Sequence, residues 1–526
     1  MLKPADSYET LTREFVWAVP ERYNMAAAVC DRWAREVPER VAVTEVAGPC
    51  DVTFGRLRAM ADALAWALRR RGVRRGDRVG VLRSQSAWTA AAHIAVWKLG
   101  AISMPLFVLF REAALLTRLA DSGACFVITE PQSEAQIAPL CERLPQRLAF
   151  ASPEAMALDD RAPFEAADTA ATDPALLIYT SGTTGPPKGA LLPQQTLLGH
   201  LPGVDLSHDF LGRPGDCLWT PADWAWIGGL LDVLMPGLHH GVRVVAQRLA
   251  KFDSARAKAV MEMHGVRNVF LPPTALKVLR ADGVQVGGLR SVASGGEPLG
   301  IELIHWGRTA LGVTINEFYG QTECNMVVSG CSALFQPRPG CIGRAAPGHE
   351  VAVIDAAGQP TSGEGDIAVR RGTPVMMLGY WNQPAATARK FRGDWLVTGD
   401  HGMMEQGYVR FIARDDDVIT SSGYRIGPAA IEDCLLGHPA VALVGVVGKP
   451  DDLRTEIVKA YIRLNAGYVP GDALVAELQA YVRERLAVHE YPREIGFIDE
   501  FPLTVTGKII RRELKARAVA ERSADH

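Results

Sequence analysis

The sequence predicts a mixed α/β fold with a large N-terminal domain of parallel-rich, helix-layered sheets, a β subdomain and a small α+β C-terminal domain. Helical and strand patterns alternate through the first two thirds of the 526 residues. Glycine-dense turns mark the segment Ile367–Phe411 as smaller β structure. The charged run Arg414–Asp417 precedes a compact stretch of about 110 residues. We therefore place the domain boundary after residue 414, which gives domains 1–414 and 415–526.

Three consecutive helix-then-strand units predict the parallel part of the fold. In each unit, apolar residues recur every three or four positions, and a short apolar run follows. The helices are predicted at Phe54–Arg71, Trp88–Leu99 and Arg111–Ser122, and the strands at Arg78–Leu82, Gly100–Leu106 and Cys125–Thr129. Because parallel strands need long crossover connections, this alternation is typical of parallel sheets covered by helices.

The longest apolar stretch runs from Trp88 to Phe110. It is interrupted by His93 and Lys98, and also by a glycine and a proline. We therefore predict a buried helix followed by a strand, and not a membrane span.

Beyond the boundary, the pattern predicts a small domain of its own. Strands are predicted at Val441–Val447 and Ile457–Leu464, and an amphipathic helix at Asp472–Leu486. The polar tail beyond Lys515 is expected to fray.

Composition excludes several classes of protein. The formal net charge of −3 argues against binding to nucleic acid or a membrane surface through global positive charge. The nine cysteines are scattered, with no C-x-x-C pair and no histidines at zinc spacing, so we expect reduced thiols. The polar N-terminus has no signal-peptide apolar core. These features predict a cytoplasmic protein with no nucleic-acid partner and no membrane span.

The most informative motif is the loop from Tyr179 to Gly189, which follows the apolar run Ala175–Ile178. Glycine N–H groups, hydroxyls and the charge of Lys188 are the groups that bind phosphate. The spacing differs from G-x-x-x-x-G-K-[ST], because Pro187 precedes the lysine and Gly189 follows it. We predict a strand that leads into a phosphate site but not a P-loop ATPase. Composition alone leaves an ordinary surface loop open.

This loop resembles the phosphate-binding signature of the adenylate-forming (AMP-binding) superfamily, which includes acyl-CoA synthetases, nonribosomal-peptide adenylation domains and luciferases. Other strings resemble further signatures of that superfamily, in the expected order and over nearly the whole chain. They lie at 294–298, 317–323, 398–400, 413–417, 421–428 and 502–508. Within the superfamily, the chain resembles the acetyl- and medium-chain acyl-CoA synthetases.

The resemblance implies a nucleotide site built from several motifs. ATP or AMP would be bound by Thr180, Ser181, Gly182, Thr183, Gly185, Lys188, Gly296, Glu297, Pro298, Glu317, Phe318, Tyr319, Gly320, Gln321, Thr322, Asp400, Arg414 and Arg425. In that set, Tyr319 would stack on adenine, and Asp400 would accept hydrogen bonds from the ribose hydroxyls. Glu323 and Thr184 would hold Mg²⁺, which favours hard oxygen ligands.

The resemblance also implies catalytic roles for Lys508, Thr184 and Glu323. Lys508 would bind the substrate carboxylate and the bridging oxygen during adenylation. Ser422 and Gly423 would border the path of the CoA thiol. The C-terminal domain would be mobile and would turn about a hinge at Asp416 between the two half-reactions.

An acyl pocket is implied at Trp226, Ile227, Gly228, Gly295 and Gly320. Acetate-specific members place Trp at the position of Gly320, whereas members that activate longer or aryl acids place Gly. We therefore expect a roomy pocket for a medium-chain, branched or aromatic acid. The tryptophans of the pocket-forming stretch fit plain core residues equally well. The segment 193–195 has no histidine, although many relatives place there one that orients the acyl side.

The leading hypothesis is an acyl-CoA synthetase that uses ATP, Mg²⁺ and coenzyme A. It would convert a carboxylic acid through an acyl-adenylate to acyl-CoA, AMP and pyrophosphate. The alternatives are an adenylation enzyme that loads a carrier protein and a luciferase-like or non-ligase nucleotide-binding protein, although Lys508 argues against an inactive scaffold. Two hypotheses concern partners: a homodimer, and a lysine acyltransferase that neutralises Lys508 and switches off adenylation.

Overall fold

The computed structural model describes residues 2–46, 51–180, 187–249, 251–338, 340–414, 417–421, 424–486, 490–503 and 509–524. Over these ranges the chain is a mixed α/β protein, which confirms the predicted fold class. Its strands form three sheets of 14, seven and five strands.

The strands of the described ranges are given in chain order. They are β1 Val41–Glu45, β2 Asp51–Thr53, β3 Arg78–Leu82, β4 Ile102–Leu106, β5 Phe126–Thr129, β6 Ala149–Ala151, β7 Pro174–Thr180, β8 Lys188–Pro193, β9 Cys217–Trp219, β10 Arg243–Ala246, β11 Asn268–Phe270, β12 Ser291–Gly295, β13 Ile315–Gln321, β14 Cys324–Ser329, β15 Cys341–Ala345, β16 Val351–Ile354, β17 Gly365–Arg370, β18 Gly379–Tyr380, β19 Phe391–Arg392, β20 Trp395–Glu405, β21 Tyr408–Arg414, β22 Ile419–Ser421, β23 Tyr424–Ile426, β24 Val441–Asp451, β25 Thr455–Leu464 and β26 Glu494–Phe497.

The helices of the same ranges are α1 Tyr8–Glu14, α2 Arg32–Glu36, α3 Phe54–Arg70, α4 Ala87–Lys98, α5 Glu112–Ser122, α6 Glu134–Ile137, α7 Thr196–Ser207, α8 Ile227–Gly229, α9 Met235–His240, α10 Ser254–Met263, α11 Pro273–Ala281, α12 Ile301–Ala310, α13 Pro384–Arg389, α14 Pro428–Leu436, α15 Asp472–Arg483 and α16 Arg511–Ala524. Two π-helical turns, Ala27–Asp31 and Leu230–Leu234, precede α2 and α9. Short 3₁₀ turns lie at Pro131–Ser133, Ala138–Leu140 and Pro153–Ala155.

The largest sheet joins a parallel half to an antiparallel half. Its order is β16-β17-β20-β21-β15-β14-β13-β12-β11-β9-β10-β1-β2, and β19 pairs with β20. Strands β13, β12, β11, β9, β10 and β1 run parallel to one another. From β13 onward through β14, β15, β21, β20, β17 and β16 the pairing is antiparallel. The β13–β14 hairpin is therefore the junction between the α/β layer and the predicted β subdomain.

The second sheet contains the predicted helix-then-strand units. Its order is β18-β8-β7-β4-β3-β5-β6, with parallel pairing from β7 to β6 and antiparallel pairing at β8 and β18. Strand β3 has the predicted bounds, and the other helices and strands of these units begin or end within two residues of prediction. Residues 88–110 form a buried helix followed by a strand, as predicted.

Helix α4 shows how the core accepts the polar residues of that stretch. The Lys98 ammonium lies 2.6 Å from a carboxylate oxygen of Asp31 and 2.5 Å from one of Asp62. His93 Nδ1 lies 2.7 Å from the Ser103 hydroxyl oxygen. Burial lowers the pKa of His93 to about 3, so its ring is neutral. Because Lys98 is ion-paired and His93 is neutral, both side chains can lie inside the protein.

The third sheet uses only strands that follow the charged run, among the residues described. Its order is β23-β22-β25-β24, and β26 pairs parallel to β25. The boundary after residue 414 stays a prediction. The expected fraying beyond Lys515 is wrong, because α16 continues to Ala524. Its apolar side packs into the domain, where Leu514 and Ala518 are buried.

Two sequence expectations concern cysteines and membranes. The eight cysteines that the structure describes, all except Cys50, are free thiols. In the described ranges, none of the helices has both the length and the apolar character needed to cross a membrane.

Candidate nucleotide and acyl site

The phosphate loop connects two paired strands. Strand β7 ends at Thr180, β8 begins at Lys188, and these two residues are opposite each other in the antiparallel register. The Thr180 hydroxyl donates to the Lys188 carbonyl oxygen at 3.4 Å. The predicted strand before the loop is therefore confirmed. Ser181, Gly182, Thr183, Thr184 and Gly185 lie outside the described residues, so their phosphate contacts stay predictions.

The adenine-side motif and the aromatic-Gly-x-Thr-Glu motif lie on neighbouring strands. Parallel pairing of β12 and β13 places Ser294 opposite Glu317 and Gly295 opposite Phe318. Gly296 leaves β12 with φ of +90°, a backbone conformation that favours glycine. The Glu297 carboxylate accepts a hydrogen bond from the Thr274 hydroxyl at 2.7 Å. The loop that continues to Pro298 is held against the second motif as well, because the Leu299 N–H donates to Glu317 Oε1 at 3.1 Å.

The predicted ribose-binding carboxylate is the centre of a buried polar cluster. Asp400 Oδ2 accepts from the Tyr319 hydroxyl at 2.5 Å and from Gln321 Nε2 at 2.9 Å. Asp400 pairs with Arg414 across β20 and β21, and Arg414 Nε lies 3.6 Å from Asp400 Oδ1. Burial raises the pKa of Asp400, and the bond from Tyr319 and the charge of Arg414 oppose that shift. Three motifs that are distant in sequence thus meet at one carboxylate.

Lys390 also belongs to this cluster, although the sequence reasoning missed it. Its ammonium donates to Gln321 Oε1 at 3.2 Å and to the Thr398 carbonyl at 3.0 Å. Lys390 follows α13, and no local pattern around it indicates nucleotide binding. Its position follows from the pairing of β19 with β20, which could not be deduced from spacing.

The predicted metal ligand lies at the turn of the β13–β14 hairpin. Thr322 and Glu323 form this turn, and Glu323 Oε1 accepts from the Tyr380 hydroxyl at 2.5 Å. Lys188 Nζ lies 5.4 Å from the centre of the Tyr380 ring, within the range of a cation–π contact. Tyr380 was also missed by sequence reasoning. It connects the phosphate-loop lysine with the hairpin carboxylate.

The Glu323 carboxylate is of the kind that Mg²⁺ uses in nucleotide sites. Among the residues that the structure covers, no group of three or more His, Cys, Asp or Glu side chains is arranged to hold a metal. Mg²⁺ in nucleotide sites uses one or two carboxylates together with phosphate oxygens and water. Glu323, with a single hydrogen-bonded carboxylate, meets that requirement.

Two of the predicted acyl-pocket glycines contact aromatic rings, and the third contacts Asn325. A Cβ atom at Gly295 would lie 2.6 Å from the Phe318 ring, and one at Gly228 would lie 3.1 Å from the Phe270 ring. The centres of those two rings are 5.1 Å apart. A Cβ at Gly320 would lie 2.1 Å from Asn325 Oδ1. Close packing thus disfavours any side chain at Gly295 and Gly320 and leaves little room for one at Gly228, and the predicted roominess stays a prediction.

The tryptophans of the pocket-forming stretch differ in their surroundings. Trp224 is 1% exposed and packs in the main core, as the alternative interpretation expected. Trp226 precedes Ile227, the first residue of α8, and its ring centre lies 5.8 Å from that of Phe107 and 5.9 Å from that of Phe110. Trp226 therefore belongs to an aromatic cluster next to the predicted pocket.

Sequence reasoning missed the polar residues beside these glycines. Asp232 lies in the π-helical turn after α8, and its Oδ1 accepts from Asn325 Nδ2 at 2.7 Å. Asp232 Oδ2 lies 3.7 Å from the position of a Cβ at Gly228. The sequence contained one indication that Asp232 has a special role, since it is the only charged residue in the otherwise apolar run 224–238.

The hinge, CoA-binding and catalytic residues assigned to the C-terminal part of the chain are mostly outside the described ranges. Asp416, Ser422, Gly423 and Lys508 all fall there, so their roles stay predictions. Arg425 lies on β23, with its backbone opposite Thr420 on β22.

Comparisons with known proteins agree with this arrangement. Residues 30–381 match the profile of the AMP-binding enzyme family, and residues 430–508 match that of the AMP-binding enzyme C-terminal domain. The chain is similar to the acetyl-coenzyme A synthetase of Bacillus subtilis (strain 168), at 34% identity over 552 residues, which covers 97% of this chain and 95% of that protein. It is also similar to the mitochondrial acyl-coenzyme A synthetase ACSM3 of Mus musculus, at 30% identity, with 97% and 93% covered.

One solved structure extends the similarity to an enzyme for an aromatic acid. The anthranilate CoA ligase AuaEII, solved in complex with anthranoyl-AMP, is 26% identical to this chain. Its TM-score is 0.86, and the alignment covers 97% of this chain and 99% of the ligase.

Proposed function

The chain belongs to the AMP-binding enzyme family and is an acid-thiol ligase of the AMP-forming acyl-CoA synthetase class, and we propose that it activates a carboxylic acid larger than acetate. The reaction converts the acid and ATP to an acyl-adenylate and pyrophosphate. Attack by the CoA thiol then gives acyl-CoA and AMP.

The observation that carries the proposal is the meeting of separate motifs at the β13–β14 hairpin. On one side, Tyr319 donates to Asp400 at 2.5 Å, and Asp400 faces Arg414 across the sheet. At the turn, Glu323 accepts from Tyr380, whose ring lies 5.4 Å from the Lys188 ammonium. A carboxylate for sugar hydroxyls, an aromatic ring for a base and a lysine for phosphate suit a single bound nucleotide.

The chemistry requires charge neutralisation more than proton transfer. Displacement at a phosphorus atom spreads negative charge over the phosphate oxygens, and positioned cations stabilise it. Lys188 and the loop before it would bind the departing pyrophosphate. Mg²⁺, held by Glu323 and by Thr184, would neutralise phosphate charge. Lys508 would orient the attacking carboxylate, and Thr322 would contact the α-phosphate.

The proposed size of the acid rests on two points: the chain has glycine at position 320, where acetate-specific family members place Trp, and its relatives differ in the acids they use. The relatives named above act on acids from acetate to an aminobenzoate, so the shared fold permits pockets of different size. Each additional buried CH₂ contributes about 0.8 kcal/mol, or roughly a fourfold change in affinity. We therefore expect a graded preference among acids, with acetate the weakest substrate.

The experiment is a panel of acids assayed for AMP release with CoA and, in parallel, with a phosphopantetheinylated carrier protein. Straight, branched and aromatic acids are compared with acetate at equal concentration. The proposal expects acyl-CoA to form with at least one acid larger than acetate and with a kcat/KM well above that for acetate. Acetate as the preferred substrate would contradict the proposed size, and acyl transfer to the carrier protein alone would favour the carrier-loading alternative.

A further inference from the structure

A buried polar cluster borders the predicted acyl pocket. It consists of Asp232, Asn325 and His200, and we call it the Asp232 cluster. Asp232 is 3% exposed, and Asn325 is also 3% exposed. Asn325 packs against Gly320, while Asp232 Oδ2 is the atom nearest to Gly228 after the Phe270 ring. The cluster therefore contacts two of the glycines assigned to the pocket.

Among the described residues, Asp232 has no lysine or arginine as partner, whereas several other buried aspartates do. Asp31 and Asp62 pair with Lys98, and Asp216 pairs with Arg290 at 2.7 Å. Among the described residues, Asp232 receives one hydrogen bond, from Asn325, and that bond goes to Oδ1. Its second oxygen, Oδ2, receives no hydrogen bond from this part of the chain.

His200 presents a second acceptor near the same carboxylate. His200 Nδ1 lies 2.7 Å from the Thr196 carbonyl oxygen, which can only accept, so Nδ1 carries the proton. Burial lowers the pKa of His200 to about 3, so the ring is neutral and Nε2 has a lone pair. Nε2 is fully buried, has no hydrogen-bond partner in the ranges described, and lies 4.0 Å from Asp232 Oδ1.

An oxygen of a buried carboxylate that lacks a donor is costly in a protein interior. Buried polar atoms are nearly always hydrogen-bonded, and each exception needs an explanation such as a functional role or a bound water. Burial raises the pKa of Asp232 to about 8, which reflects how poorly its surroundings stabilise the charged form. A ligand that carries a positive charge or donates a hydrogen bond would lower this pKa and stabilise the charged carboxylate.

We propose that Asp232 is a specificity-determining residue that selects an acid with a hydroxyl or amino group remote from its carboxyl group. That group forms a hydrogen bond with Asp232 Oδ2. Asn325 donates to Asp232 Oδ1 and so holds the carboxyl in place. This inference rests on the proposed function, because it concerns the acid that the ligase activates.

The test compares matched pairs of acids that differ by one donor group. Unsubstituted four-, six- and eight-carbon acids are paired with their ω-hydroxy and ω-amino derivatives, and benzoate is paired with its hydroxy and amino derivatives. The kcat/KM for acyl-CoA formation is measured for each. A buried site built to bind a donor discriminates strongly against the analogue that lacks it. For the wild-type protein, we expect at least one donor-bearing acid to exceed its unsubstituted partner by about 10- to 150-fold.

Two variants and one control assign the preference to Asp232. Asp232→Leu has a similar size and no acceptor, so it is expected to remove the preference and to accept the unsubstituted acid. Asp232→Asn preserves the shape of the side chain and replaces the leucine variant in the test if that variant does not fold. It is expected to reduce the preference about tenfold. Asp205→Asn changes another buried aspartate, which accepts from the Leu2 N–H and lies 2.8 Å from His240 Nε2. This control is expected to leave the preference unchanged.

The outcomes separate this inference from the proposed function. The inference is overturned if every unsubstituted acid matches or exceeds its donor-bearing partner. It is also overturned if a folded Asp232 variant retains the wild-type ratio, in which case a water molecule is the partner of Asp232 Oδ2. Whether the hydroxyl or the amino series is preferred identifies the donor. Absence of acid-dependent AMP release with every acid would reject the proposed function itself.

Discussion

Replacement of Asp400 by asparagine tests the nucleotide site at its best-defined residue. Asp400 Oδ2 already accepts from Tyr319 and Gln321, whereas Oδ1 accepts no hydrogen bond from the described residues and lies 3.6 Å from Arg414 Nε. Oδ1 is therefore the oxygen available to the sugar. In Asp400→Asn, the two donors retain the amide oxygen on their side, so the amide NH₂ faces the sugar. An amide nitrogen cannot accept a hydrogen bond from a hydroxyl.

The size of the effect follows from the loss of one charge-assisted interaction. Hydrogen bonds to charged groups contribute about 1.5–3 kcal/mol, which corresponds to about 10- to 150-fold in the KM for ATP. Because Tyr319 and Gln321 keep an acceptor, the melting temperature is expected to change little. The matched control is Asp366→Asn, since Asp366 is an ion-paired carboxylate on the neighbouring strand, 2.6 Å from Arg392. It is expected to leave the KM for ATP unchanged.

The assay is AMP release at varied ATP, 2′-deoxy-ATP and 3′-deoxy-ATP. The wild type is expected to discriminate against at least one deoxy nucleotide, and Asp400→Asn is expected to lose most of that discrimination. If the variant discriminates as strongly as the wild type, Asp400 does not bind the ribose. An unchanged KM for ATP in Asp400→Asn would refute the assignment as well.

Three further predictions concern other parts of the molecule. Lys508→Ala is expected to abolish adenylation but to spare thioester formation from supplied acyl-adenylate, and equal loss of both half-reactions would contradict its role. Gly320→Ala is expected to cost about 1–3 kcal/mol of unfolding free energy, because its Cβ would lie 2.1 Å from Asn325 Oδ1. The control is Gly287→Ala, whose Cβ would have nothing within 4 Å, and it should leave the stability unchanged in the same melting experiment. Asp232 has a pKa of about 8 when folded and about 4 when unfolded, so the folded state holds its proton more tightly and this group's contribution to stability falls as pH rises between those values. Asp232→Asn should therefore gain stability relative to the wild type from pH 5 to pH 8 in denaturant titrations, and a constant difference would argue against the shift.

Local patterns were sufficient for the helices and strands of the parallel sheets. Strand β3 has its predicted bounds because it is a short apolar run between a glycine turn and a helix, so both of its ends are marked in the sequence. The tail beyond Lys515 was mispredicted because α16 has a polar composition, while tertiary packing of Leu514 and Ala518 stabilises it. Composition describes the exposed side of such a helix better than its buried side.

The missed site residues share one physical property, which is dependence on long-range contacts. The Tyr380–Glu323 and Lys390–Gln321 bonds join residues 57 and 69 positions apart, and the Asp232–Asn325 bond spans 93. No spacing rule encodes such pairs, because sheet order decides which strands become neighbours. The motif residues Asp400 and Tyr319 were accessible to sequence reasoning only through resemblance to a family.

The most direct test of the central claim, activation through an acyl-adenylate, is the fate of the carboxylate oxygen. An acid larger than acetate is labelled with ¹⁸O in its carboxyl group and converted with ATP and CoA, and the products are analysed by mass spectrometry. If the carboxylate attacks the α-phosphate, one labelled oxygen is retained in AMP when the thiol displaces it, and the pyrophosphate remains unlabelled. Label in pyrophosphate or in free phosphate, or AMP without label, would contradict the account.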